Sequence, residues 1–193
     1  MNYPHPLPCY DSVPTTDASA SAFNDLRHAI RDVPDFPKPG ILFKDITPLL
    51  ADGQLFGRAC DAMTVPFRDA GVTLVAAIES RGFLLGGPIA ALLGVGIVPI
   101  RKVGKLPHTT RRVTYALEYG TDALEVHADA CVAHRRVLLV DDVLATGGTA
   151  AAACELIENV GGEVVGCSFL IALSFLAGHE RLSGRRMEAV LTY

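Results

Sequence analysis

Residues Val137–Thr149, V-L-L-V-D-D-V-L-A-T-G-G-T, constrain the fold more than any other part of the chain. Val137 to Val140 are aliphatic without polar alternation, which predicts a parallel strand covered on both faces. Asp141 and Asp142 stand where that strand must end, and Ala145-Thr146-Gly147-Gly148-Thr149 is a small, hydroxyl-bearing turn. The turn opens into A-A-A-C-E-L-I-E-N-V, a good helix former. A strand, a glycine-rich turn and a helix N-terminus make an anion site from unpaired N–H groups and the positive end of the helix dipole. Adjacent carboxylates suit a polyol, because each can accept several hydroxyl hydrogen bonds. An anion site beside a diol site fits a ribose 5-phosphate. A P-loop is excluded, since it needs G-K-[ST] and this turn has no lysine, and no G-x-G-x-x-G follows a strand. A bare T-G-G-T would say little, as many α/β proteins carry such turns and bind nothing there. The paired acids make this one restrictive.

The rest of the chain supplies the frame. Apolar residues at 23, 26, 29, 30 and 33 have helical spacing, ended by Pro34. Pro37, Pro39 and Gly40 force a turn before an extended stretch, Ile41–Ile46, and Asp52 caps a helix running to about Ala70. A buried strand over 72–78, a helix over 83–93 closed by Gly94 and a strand over 97–100 come next. Short strands at 115–119 and 124–126 flank a turn at 120–122. After the signature strand and its helix follow a strand at 164–172, a short helix near 175–182 and a terminal strand at 187–193. Alternating strands and helices imply an α/β fold, a doubly wound, mostly parallel sheet flanked by helices. Ligands of such sheets sit beyond the carboxyl ends of the strands, where the polar segments 79–82, 101–105 and 141–149 all fall.

Composition narrows the function classes. A chain of 193 residues, 50% hydrophobic and 20% charged, makes one domain with a substantial core. The longest apolar run, 83–100, is broken by Gly and Pro, so no membrane span is expected. A net charge of −4 argues against a nucleic-acid surface. The 5 cysteines form no C-x-x-C pair, which speaks against a disulfide framework or zinc site. Cys60, Cys154 and Cys167 read as small buried hydrophobes. Residues 1–20, rich in Pro, Ser and Ala, read as a flexible arm. They lack the features of a secretory signal, and with the reduced thiols this points to the cytoplasm.

The signature resembles the PRPP (phosphoribosyl pyrophosphate) motif of the type I phosphoribosyltransferases, and in the form D-D-x-L-A-T-G-G-T it is most similar to the adenine-using members. Three more segments agree with that family in the expected order: Phe36–Leu50, Glu79–Gly86 and Arg101–Gly120. The resemblance covers roughly residues 20 to 193. It implies one phosphoribosyltransferase domain over 21–193, with a hood around 36–50 and a lid around 102–114. It also implies a reaction: Mg²⁺-dependent transfer from PRPP to adenine, giving AMP and pyrophosphate, by a homodimer in purine salvage.

The residues divide accordingly. Asp141 and Asp142 would take the ribose hydroxyls, and Ala145, Thr146, Gly147, Gly148 and Thr149 the 5-phosphate. Ser80 and Arg81 form the pyrophosphate loop by resemblance, with Arg81 as a forked donor; an isolated Arg would more often be a surface ion-pair partner. Arg101, Lys102 and Lys105 are the cations of a closing lid, Lys105 first among them, while Arg111 and Arg112 read as solvated. Glu118 matches the family's acid near the reacting carbon, managing a purine proton or stabilising ribose charge. Glu118, Lys105 and Arg81 are thus the catalytic candidates. The base pocket should come from Leu42, Phe43 and Lys44, with Phe43 stacking and backbone groups reading the amino edge; Phe43 as an ordinary core aromatic is the alternative. No dedicated metal cage is expected, since Mg²⁺ keeps several waters and is bridged by substrate oxygens, with Asp141 or Asp142 reaching it through water.

Hypoxanthine- and guanine-using relatives place a lysine late in the chain for the 6-oxo group. This chain has no lysine after Lys105, although Arg181, Arg185 and Arg186 remain as substitutes, so a 6-amino base is favoured. Two other readings stay open: a phosphoribosyltransferase for another purine, and a PRPP-binding regulator. The second would need a nucleic-acid-binding segment, for which the short N-terminal arm is poorly patterned.

Overall fold

The computed structural model describes residues 23–116, 121–130 and 134–193. The arm, Glu118 and Cys131 lie outside the described residues. The elements in chain order are α1 (Asn24–His28), β1 (Arg31–Pro34), β2 (Leu42–Asp45), α2 (Thr47–Ala51), α3 (Gly53–Thr64), β3 (Leu74–Ile78) and α4 (Arg81–Leu93). After these come β4 (Gly96–Lys102), β5 (Thr110–Ala116), β6 (Thr121–His127), β7 (Arg136–Leu144), α5 (Gly148–Asn159), β8 (Glu163–Ala172) and β9 (Met187–Thr192).

A seven-stranded sheet has the order β5-β6-β4-β3-β7-β8-β9. Neighbours from β4 through β9 run parallel, whereas β6 is antiparallel to both β4 and β5. The expected doubly wound α/β architecture is therefore present. Every residue of β3 is buried, as is Val137–Val140 of β7, which is why both read as unbroken apolar runs. Alternate side chains feed two cores. Ala76, Ile78, Val137 and Leu139 pack on the α5 side, and Val75, Leu138 and Val140 on the side of α3 and α4.

The winding reverses between β3 and β7. Ala77 pairs with Val140, so the residues following each emerge side by side at the sheet's ligand-binding edge. Contrary to the expectation, β7 does not end before its acids. It continues to Leu144 because β8 is long enough to keep pairing, with Asp141 opposite Phe169 and Leu144 opposite Ala172.

Three other elements differ from the sequence reading. Helix α1 stops at His28, and Arg31–Pro34 is instead a strand antiparallel to β2, with Asp32 opposite Lys44. Pro34 favours extended backbone before it, and the pairing does the rest. Asp52 does cap α3, accepting from Gln54 N at 2.9 Å and Leu55 N at 3.1 Å. The helix nevertheless ends at Thr64, because Pro66 has no N–H to continue it, and one 3₁₀ turn, Val65–Phe67, follows. Finally, Thr110–Thr114 belongs to an edge strand rather than an unpatterned lid, with Arg111 and Arg112 both exposed. Edge strands are often charged, which hides their alternation.

Candidate active site

A cavity of about 460 Å³ opens where β3 and β7 deliver their polar ends. From the signature, Asp141, Asp142, Ala145, Thr146, Gly147 and Thr149 line it; Gly148 is buried behind as the first residue of α5. Ser80 and Arg81 line it beside them, following a cis Glu79–Ser80 peptide. Leu42, Phe43 and Lys44 of β2 form the roof, and Lys102 stands at the rim. Arg101 and Lys105 are not among the lining residues.

Arg81 joins these walls. Its Nε donates to the Asp142 carboxylate, and its guanidinium lies 5.0 Å from the centroid of the Phe43 ring. Phe43 meets Phe36 edge-on at 5.1 Å, so it is an aromatic fixed in the roof rather than one sunk in the core. The two acids are not equivalent. Asp142 is buried and paired with Arg81, while Asp141 is partly open to the cavity. Loss of solvent, and then the Asp142 charge beside it, push the Asp141 carboxyl well above the ordinary carboxylate range. The N–H of Asp142, donating to Asp141 Oδ1 at 2.9 Å, only partly offsets this.

The turn Ala145–Gly147 is shaped by a glycine far away in sequence. Gly147 has φ +78° and its Cα faces Gly178, where an added Cβ would stand 2.2 Å from the carbonyl oxygen. A Cβ on Gly178 would in turn stand 2.1 Å from Ala145 O. The turn Ala145–Gly147 is thus laid directly on the backbone of the 3₁₀ turn Gly178–Leu182.

The basic cluster is held by acids that sequence reasoning did not single out. Arg101 pairs with Glu79 at 3.2 and 3.3 Å and donates to Lys105 O at 3.0 Å, which explains its absence from the cavity wall. Burial alone would raise Glu79, but Arg101 and the N–H of Lys102 hold its carboxyl below the usual range. Lys102 is paired with Asp122. Glu125, buried in β6, accepts the N–H groups of Lys105 and Leu106 at 3.0 Å each, anchoring the loop that follows β4. An acid inside L-E-V was the available signal for Glu125; Glu79 and Asp122 carried none.

A family model described as the phosphoribosyl transferase domain matches residues 50–188. The adenine phosphoribosyltransferase of Myxococcus xanthus is 58% identical over 169 residues, covering 88% of this chain and 92% of the relative. That of Methylococcus capsulatus is 53% identical over 168 residues, covering 87% and 98%. This chain belongs to the adenine phosphoribosyltransferase family. Solved structures named for the same family are similar along nearly their whole length. The one from Rhodothermus marinus has a TM-score of 0.87 at 52% identity, covering 90% of this chain and 99% of that one. The Saccharomyces cerevisiae structure, a complex with an imino-altritol bisphosphate and adenine, has a TM-score of 0.84 at 39% identity, covering 89% and 99%.

Within this family the late arginines bear on which base fits. Arg185 is engaged by Glu158 at 2.8 and 3.0 Å. Arg186 reaches Glu188 at 3.3 Å and lies 4.7 Å from the Phe67 ring centroid. Arg181 is exposed, and none of the three lines the cavity. None of these three arginines is therefore in place to serve a 6-oxo group in that cavity.

Proposed function

We propose how this chain performs its family's reaction, transfer of the 5-phosphoribosyl group from PRPP to adenine with release of pyrophosphate. The 5-phosphate occupies the Ala145–Thr149 turn, and the ribose hydroxyls bond to Asp141 and Asp142. The pyrophosphate lies against Ser80 and Arg81, and adenine sits under Phe43. The observation that carries this reading is that Phe43, Arg81, Asp142 and Thr146 all line one and the same cavity of about 460 Å³. Its volume suits a small substrate pair. Catalysis then consists of alignment and of charge placed around a departing polyanion.

The loop between β4 and β5 acts as the lid. On closure Lys102 exchanges Asp122 for pyrophosphate oxygens, and Lys105 and Arg101 follow from the anchored base of the loop. Among the described residues no cluster of three His, Cys, Asp or Glu side chains could hold a metal, whereas the adjacent carboxylates of Asp141 and Asp142 suit an ion carried in by substrate. Mg²⁺, held by them through water, would neutralise charge on PRPP. The lysine-free late chain and the engaged arginines favour adenine over 6-oxo purines.

The test is purified protein, with PRPP and Mg²⁺, assayed on adenine, hypoxanthine, guanine and xanthine beside Glu118→Ala. AMP formation from adenine alone is expected, with Glu118→Ala lowering kcat about 10²-fold at near-constant KM. PRPP binding without turnover on any base would instead revive the regulator reading. A Glu118→Ala defect confined to KM would move that residue from chemistry to packing.

The homodimer is supported by exposed Leu84 and Leu92 of α4 together with Ile97. Light scattering should give about twice the chain mass of 20.5 kDa. The cytoplasmic location rests on Cys60, Cys154 and Cys167, all free and buried; cell fractionation checks it. No helix among the described residues is long and apolar enough to cross a membrane.

A further inference from the structure

The roof strand β2 belongs to a separate two-stranded sheet with β1, so something else must hold it at a fixed height above the cavity. Lys44 points to what does. Its side chain is only 10% exposed, although it carries a charge that burial would penalise. Asp32, opposite it on β1, accepts from Nζ at 2.6 Å. The same Nζ lies 4.0 Å from the centroid of the Tyr193 ring. A second cation, Arg27 of the segment leading into β1, lies 4.6 Å from that centroid and donates to Thr192 O at 3.1 Å.

Tyr193 is itself fixed to the main sheet. Its N–H donates to Ala172 O at 3.0 Å, and its carbonyl accepts from Ser174 N at 2.9 Å and Ser174 Oγ at 2.6 Å. Ala172 ends β8, and the next residue, Leu173, lines the cavity floor. The ring therefore spans from the body of the protein to the roof. A desolvated ammonium against an aromatic face is among the stronger forms of this contact.

We propose that Tyr193 is a positioning residue for the base: its ring, engaged by Arg27 and Lys44, sets the distance between β2 and the sheet and so the height of the adenine slot. The Lys44 ammonium is spent on Asp32 and Tyr193, which leaves main-chain groups of β2 to meet the base. This rests on the reading that adenine binds under Phe43.

The experiment compares Tyr193→Leu, which removes the ring, with Tyr193→Phe, which keeps it. With PRPP saturating, Tyr193→Leu should raise the KM for adenine about three- to tenfold. The KM for PRPP and kcat should stay within about twofold, and Tyr193→Phe should raise the adenine KM clearly less than Tyr193→Leu does. Should Tyr193→Leu not fold, Arg27→Gln, which removes one of the two cations, should give a smaller rise with the same selectivity for adenine. Equal rises in both KM values, a loss of kcat alone, or a Tyr193→Phe defect as large as that of Tyr193→Leu would each overturn the proposal. Phe43→Ala separates the two levels. If it raises the adenine KM while the Tyr193 and Arg27 variants do not, only the positioning role fails. If it too is silent, the base does not bind under this roof.

Discussion

Asp141→Asn combined with Asp142→Asn is expected to raise the KM for PRPP about 10³-fold in a protein that stays folded. Each carboxylate is assigned charge-assisted bonds to ribose hydroxyls, and two such groups at about 2 kcal/mol each give that factor. The single variants should agree in affinity yet part in stability. The Asp141 carboxyl is pushed upward in the folded protein by lost solvent and by Asp142. A raised carboxyl contributes stability below its unfolded pKa and loses it as pH rises through the folded value, so at neutral pH its ionisation opposes folding. Asp141→Asn removes that penalty and should raise Tm. Asp142→Asn should instead lower Tm, since it leaves Arg81 without its charged partner in a wall of the cavity. A cost of about 1–2 kcal/mol is expected, less than for a deeply buried pair because the Arg81 side chain is 38% exposed. Tm and PRPP titrations of both singles check this. Equal Tm shifts would contradict the inequivalence of the acids, and an unchanged KM would remove the ribose from them.

What was legible in the sequence follows from how local each feature is. β3 and β7 could be read because strands covered on both faces need apolar side chains throughout, whatever lies around them. Asp52 and Gly94 could be read because caps act on the backbone beside them: Asp52 accepts two N–H groups, and Gly94 takes φ +67°. β1 could not. Val33 continues the period of α1, and the pairing with Leu42–Asp45, added to the bias from Pro34, makes Arg31–Pro34 extended. The basic residues show the same limit within the site. Arg81 follows β3 and Arg101 stands near the end of β4, yet one faces the cavity and the other turns to Glu79, a choice made by tertiary neighbours. Tyr193 and Gly178 were missed for that reason too, since each acts on a segment far away in sequence.

Gly178 also sets the other large effect, because Gly178→Ala should distort the Ala145–Thr149 turn from a residue that is not itself assigned to substrate. The new Cβ would stand 2.1 Å from Ala145 O and 2.9 Å from Gly147 N, both main-chain atoms that have no rotamer to change. Relief requires the loop or the turn to move by on the order of 1 Å, and displacements of that size can cost about 10²-fold in rate. Gly147 cannot yield easily, since its own Cα lies against Gly178 and its φ of +78° caps α5. Affinity for AMP and ribose 5-phosphate, the ligands that carry the 5-phosphate, should fall about 10²-fold or more. Overpacking should lower stability by about 1–3 kcal/mol. Gly57→Ala on α3 is the control, as a Cβ there meets nothing within 4 Å and helix propensity should slightly stabilise it. Calorimetric titration with ribose 5-phosphate, with Tm measured on the same samples, reads both quantities. If Gly178→Ala melts early but binds ribose 5-phosphate normally, the 5-phosphate is not held by the turn at Ala145–Thr149. If it melts early and binds weakly in proportion to the displaced loop, the geometry of that turn is fixed from outside its own motif.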